Sequence, residues 1–163
     1  MICFHNPEEE NGYLSNWYLS EFTVDGIKFS SMEQYMMYEK ALLFQDQEAA
    51  EKILQTDNAA DIKALGRSVQ HFDDKIWIKV REEIVYRGVR EKFRQNPELA
   101  EKLKKTGEEI IAECAVKDRI WGIGLSMKDE NRHCIDRWRG QNLLGKILMR
   151  VREEIKHQKK EQG

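Results

Sequence analysis

The sequence predicts a mainly α chain of the α+β class: a compact helical domain with a small N-terminal β-hairpin or sheet. Three observations carry this. Asp25-Gly26 stands between two short β-prone runs, Phe22-Thr23-Val24 and Ile27-Lys28-Phe29, the pattern of a hairpin closed by a type I′ turn. From Ser31 to about Lys105, helix-forming stretches follow one another, each opening on a capping residue. Near the end, Leu144, Ile147, Leu148, Val151 and Ile155 recur at three and four, the stripe of a helix packed on a core.

Taken in order, Met1 to His5 reads as a short strand, Asn6 to Gly12 as an acidic turn, and Tyr13 to Tyr18 as aromatic and irregular. The hairpin leads into a helix over 31–44. Ser30 or Ser31 caps it, with Glu33 and Gln34 at the two capping-box spacings. Asp46 opens a helix to about Gln55. Asn58 opens another to about Leu65, with Gly66 as its stop. Asp73 or Asp74 begins a long helix to about Gln95, whose apolar face holds Trp77, Val80, Ile84, Val85, Val89 and Phe93. Asn96-Pro97 starts a further helix to about residue 105, closed by Thr106-Gly107. Glu109 to Val116 reads as a short buried strand, with helix as the alternative. Residues 118–142 form a long irregular segment with Gly122, Gly124, Gly140, Trp121 and Trp138; a loop of this length is more often functional than idle. The last helix begins near Asn142. The expected organisation is one domain over 1–155 and a polar tail over 156–163.

A chain of 163 residues, 40% hydrophobic and 34% charged, has the size and composition of one globular domain. A formal net charge of −2 removes any global electrostatic case for nucleic-acid or membrane binding. Cys3, Cys114 and Cys134 are odd in number and far apart, which points to a reducing compartment and not to a disulfide framework. His133-Cys134 is the nearest approach to a metal pair, but no third ligand stands at a useful spacing, so no metal is expected. The N-terminus has neither the basic region nor the apolar core of a signal peptide, and no stretch approaches the ~20 apolar residues of a membrane span. The expectation is a cytoplasmic protein.

Glu33 and Lys40 are seven residues apart and therefore share one helical face, about 10 Å from each other, beside Met36 and Met37. An acid and an amine next to apolar side chains can both have perturbed pKa values. The plainer reading makes Glu33 a capping carboxylate and Lys40 a solvated cation.

Five separated pieces can be set together: Leu14-Ser15-Asn16-Trp17; Met32-Glu33-Gln34-Tyr35 through Lys40; Leu65-Gly66-Arg67 followed by Trp77; Asp118-Arg119-Ile120-Trp121-Gly122; and Gly140-Gln141-Asn142-Leu143-Leu144-Gly145. In order and spacing they resemble the NADAR (YbiA-like) family, from about Phe4 to Arg152. The resemblance implies a compact, mainly helical fold with a small β element. It also implies an N-glycosidase that cleaves the bond between a base and a ribose carrying phosphate. The implied substrates are riboflavin-pathway phosphoribosylamino-pyrimidine intermediates, or ADP-ribose on guanine, with ADP-ribosylated nucleic acid as one carrier. The family pattern often has Glu-His-Tyr, and Gln-Ala before the lysine. Here Gln34 follows Glu33 and Met37-Tyr38-Glu39 precede Lys40, so the chain looks like a different branch from the riboflavin-pathway enzyme.

At the matched positions the resemblance places Glu33 as the carboxylate beside the sugar and Lys40 as an amine able to form a Schiff base. Direct hydrolysis, with Lys40 as an electrostatic or phosphate contact, is the competing route. Asp118 is the second acid/base or a ribose contact; as a plain loop residue it would bond nearby amides. Trp77 and Trp121 are candidates to stack on the base, Trp77 having core packing as its alternative. Gly122 and Gly124 would let backbone amides approach a ligand. Asn142 would cap its helix or bond the ligand, and that helix N-terminus would help hold phosphate. Arg67 is a phosphate contact or a structural ion-pair partner, and Asn16 a ribose or phosphate contact. No cofactor is expected. The alternative function is a module that binds a nucleotide or ADP-ribose without cleaving it.

Overall fold

The structure is a computed structural model that describes residues 1–162, with side chains as far as Gln158. The chain falls into two compact units. One is the continuous segment Leu19–Asn96; the other joins Met1–Tyr18 to the chain from Pro97 onward. Among the described residues, six α-helices accompany two small two-stranded sheets, so the fold is mainly α with a minor β part.

In the continuous unit, the hairpin is β2 (Phe22–Val24) and β3 (Ile27–Phe29), antiparallel, with Phe22 opposite Phe29 and Val24 opposite Ile27. Asp25 and Gly26 have φ of 51° and 80°, the left-handed pair that a type I′ turn demands. Tyr35 then packs edge to face on both Phe22 and Phe29, with Phe29 and Tyr35 centroids 5.3 Å apart.

That aromatic contact seats helix α1 (Met32–Leu43), whose N-cap is Ser31. Ser31 Oγ accepts from the Gln34 amide at 3.1 Å, and Gln34 Oε1 accepts from the Ser30 amide at 2.7 Å. The capping function therefore belongs to Gln34, which leaves the Glu33 carboxylate out of it. Gln34 also donates to the carbonyls of Ile53 and Thr56, both at 3.0 Å, and so ties α1 to the end of α2 (Gln47–Leu54). Asp46 caps α2 through Ala49 and also accepts from the Gln70 amide.

Helix α3 (Ala59–Arg67) is capped by Asn58 and continues one residue past Gly66, which is not its stop. The reason is packing: a methyl at Gly66 would lie 1.9 Å from Met37 Sδ, so the glycine lets α3 close onto α1. Helix α4 (Asp74–Gln95) is capped by Asp73. Trp77, Val85, Val89 and Phe93 are buried on it as expected, but Val80 and Ile84 are only half-buried. Two cations, Arg81 and Lys92, take buried places instead. Apolar periodicity alone does not detect a buried charge.

In the discontinuous unit, β1 (Ile2–Phe4) runs parallel to β4 (Ile111–Glu113), with Cys3 opposite Ala112. The strand expected over 109–116 is thus confined to its centre. Cys3, Ala112, Cys114, Ile123 and Leu125 pack together, flanked by Met1, Met127 and Trp138. Pro97 opens α5 (Pro97–Lys105). Helix α6 (Leu143–Gln162) packs on β4 and α5. Its Arg152 donates to Thr106 Oγ1 at 2.9 Å and to the Glu109 carbonyl at 2.7 Å. Helix continues through most of the stretch expected as a tail, as far as Gln162; Gly163 lies outside the described residues. Between β4 and α6 the chain has only short 3-10 turns, at Glu130–His133 and Ile135–Arg137. Among the described residues no helix is long and apolar enough to cross a membrane.

Candidate active site

Helix α1 carries Glu33, 5% exposed, and Lys40, half-buried near its C-terminal end. Burial is the main influence on Lys40 and holds its ammonium below the ordinary lysine range. Glu33 and Asp74 pull the other way by favouring the charged form, while Arg67 reinforces the effect of burial by repulsion. Lys40 Nζ also stands 4.5 Å over the ring of Phe72, which itself packs edge to face on Phe44 at 5.2 Å.

The surroundings of Lys40 come from four places in this unit. They are the first turn of α1, the last residue of α3, the connection at Phe72, and the first turn of α4. Gly66 makes this possible, since it brings α3, and hence Arg67, against Met37 of α1. Arg67 is exposed, while Trp77, one turn after Asp74, is 7% exposed and packed in the interior. The result is a partly desolvated amine beside a second cation, two features that favour the neutral, nucleophilic form, while the two carboxylates oppose them.

Asp74, Phe72 and Arg81 were not singled out from sequence. By sequence Asp74 is only a possible cap, and Asp73 takes that role through the Lys75 amide at 3.0 Å. The second acid is then left in the first turn, where it acts on Lys40. Arg81 carried a usable signal, a cation one turn beyond Trp77 on the same face.

In the other unit, Asp118, Trp121, Gly122 and Asn142 belong to one hydrogen-bonded web. Asp118 Oδ1 accepts from the amides of Ile120, at 3.0 Å, and Trp121, at 2.8 Å, which makes the local turn that its plainer reading described. Gly122 packs against its own chain: a methyl there would lie 2.9 Å from the Glu113 carbonyl oxygen. The amides of Gln141, Asn142, Leu143 and Leu144 donate to the carbonyls of Arg119, Gly122, Ile120 and Trp121.

Two expectations are revised by that web. The first amides of α6 are taken up by Ile120 and Trp121, so this helix start has little left to offer a phosphate. Asn142, 1% exposed, spends its carboxamide on β4, accepting from the Glu113 amide at 3.1 Å and donating to the Ile111 carbonyl at 2.9 Å. That oxygen therefore does not cap α6. Asn16 is buried in the turn where Ser15 Oγ accepts from the Trp17 amide.

A family description, the NADAR domain, matches residues 3–156. The chain belongs to the NADAR domain family. The match runs through both units and includes all the candidate site residues described above. N-glycosidase R617 of Acanthamoeba polyphaga mimivirus is 43% identical over 161 residues, covering 94% of this chain and 95% of that protein. Riboflavin biosynthesis protein VVA0006 of Vibrio vulnificus is 38% identical over 154 residues; the alignment takes in 94% of this NADAR chain but only 38% of the Vibrio protein. Among solved structures, the NMR structure of the E. coli protein YbiA superposes with a TM-score of 0.80 at 27% identity, covering 97% of this chain and 86% of that one. The mainly helical NADAR fold is therefore shared with a solved relative.

Proposed function

We propose that this chain is an N-glycosidase, a hydrolase of an N-glycosyl bond, acting on a base joined to a phosphorylated ribose or to ADP-ribose. Phosphoribosylamino-pyrimidines and ADP-ribosylated guanine, free or in nucleic acid, are the two substrate classes. The observation that carries the reading is the state of Lys40: a half-buried amine held below the ordinary lysine range, with the Glu33 carboxylate acting on it. Neither group is needed merely to hold a base. The curated relatives named N-glycosidase, and the one named for riboflavin biosynthesis, support the same class.

In this reading Glu33 stabilises the positive charge that develops at the anomeric carbon. The neutral Lys40 amine adds to that carbon, the carbon–nitrogen bond to the base breaks, and the base leaves with a proton. A Schiff base then joins Lys40 to the ring-opened sugar. Water adds to it, releasing the sugar phosphate and restoring the amine. The three free cysteines suit a reducing, cytoplasmic location.

The test is product analysis by chromatography and mass spectrometry. The purified protein is incubated with each substrate class, with borohydride added to trap an imine. Free base and a sugar adduct on Lys40 are expected. Base release without an adduct would select direct hydrolysis. Tight binding without release would replace the enzyme with a reader of ADP-ribose.

A further inference from the structure

We propose that Arg81 is the residue of the Glu33–Lys40 site that reads the substrate's phosphate group. This rests on the N-glycosidase reading and deepens it. Arg81 is 7% exposed, and its Nε finds no hydrogen-bond acceptor. A buried guanidinium with an orphaned donor costs stability, and an anion that is not part of the chain would supply the missing acceptor.

Its position on α4 says where that anion would sit. Asp74, Arg81 and Gly88 are spaced by seven residues, so they share one face with about 10 Å between neighbours. Both outer members meet α1: the Asp74 carboxylate acts on Lys40, and Gly88 lies against Met32 and Tyr35. Arg81 is the midpoint of the α4 face that packs on α1, between the Lys40 end and the Glu33 end. With Lys40 neutral, Arg67 and Arg81 are the permanent cations there for a phosphate to meet. A guanidinium binds phosphate oxygens with two parallel donors, a geometry an ammonium lacks. The start of α6, the other phosphate candidate, has its first amides engaged.

The experiment compares Arg81→Lys and Arg81→Met with the unmodified chain. Base release is measured from a phosphoribosylamino-pyrimidine and from its dephosphorylated counterpart. Binding of ADP-ribose and of inorganic pyrophosphate is measured by calorimetry, and Tm is recorded for each protein. The preference for the phosphorylated substrate should fall about 10–100-fold in both variants, as loss of one charge-assisted contact predicts. Affinity for both anions should fall with it, while Tm stays level or rises.

Equal slowing on the two substrates, with the preference intact, would overturn the proposal and make Arg81 structural. So would a collapse of Tm in Arg81→Met together with an unchanged preference in Arg81→Lys. If the unmodified chain releases no base from either substrate, the glycosidase reading fails by itself. Calorimetry still decides the role of Arg81: weaker anion binding in the variants supports it, and unchanged or absent binding overturns it.

Discussion

Gly66 of α3 lies directly against Met37 of α1, with no room between them for a methyl group. Arg67 follows Gly66, and Lys40 stands less than one turn after Met37, so this contact sets the spacing of the two cations. Gly66→Ala should cost about 1–3 kcal/mol, the usual penalty for overpacking. Urea denaturation measures it. A variant as stable as the parent would mean that Met37 simply swings aside.

Arg67 and Asp74 act on Lys40 with opposite sign, which gives a paired test. Arg67→Gln removes a cation that disfavours the proton, so the Lys40 pKa rises and the acidic limb of the kcat/KM profile moves to higher pH. Asp74→Asn removes an anion that favours the proton, so the limb moves to lower pH. Profiles that shift together, or stay fixed, would show that the limb does not report Lys40.

Glu33→Gln keeps the size and burial of the side chain and removes its charge. Turnover should fall by about 10²–10⁴-fold, with affinity for ADP-ribose little changed. Single-turnover base release and calorimetry measure the two quantities. A loss confined to affinity would move Glu33 from chemistry to binding.

Asn142 combines a positive φ of 54° with two side-chain bonds to β4. Asn142→Ala leaves an amide and a carbonyl unpaired, at about 1–3 kcal/mol for each buried group, and adds backbone strain. Asn142→Gly loses the same bonds without the strain. The glycine variant should therefore be the more stable of the two by denaturant titration.

Lys92 is 1% exposed, and burial pushes its pKa down to about 7 from 10.5. Below that value the folded protein bears the full cost of a buried charge. Between pH 7 and 10.5 the unfolded chain holds more protons than the folded one, so this group makes stability rise with pH. Lys92→Met should flatten that rise in thermal melts taken across the window. Parallel curves for the two proteins would remove Lys92 as the cause.

The parts of this chain legible in its sequence are those fixed by local chemistry. Asp-Gly turns, capping residues and apolar periodicity depend on near neighbours, and the hairpin and helices α1 to α6 follow from them. Gly66 misleads because a glycine near a helix end signals a stop unless another helix lies on it, and Met37 is distant in sequence. Glu33 and Lys40 were singled out as candidates from their spacing and the family pattern. Arg81 and Lys92 were not, since a cation on an apolar stripe looks like an interruption until its burial is seen. For Asn142 the sequence left capping and ligand contact open. Its partners, Ile111 and Glu113, are about thirty residues away, beyond any local signal.

The pairing of β1 with β4 has a consequence for how the chain is made. Residues 2–4 leave the ribosome well before their partners at 111–113, which lie more than a hundred residues later. At about 5–20 residues per second, synthesis leaves β1 without its neighbour for roughly 5–20 s. Residues 19–96 are contiguous and can complete their own contacts during that interval. Until residue 113 is out, the apolar side chains of Ile2 and Phe4 and the backbone edge between them are open to other nascent chains. Vectorial synthesis therefore favours the lysine-bearing unit folding first, and the wait at β1 is where a chaperone has most to protect.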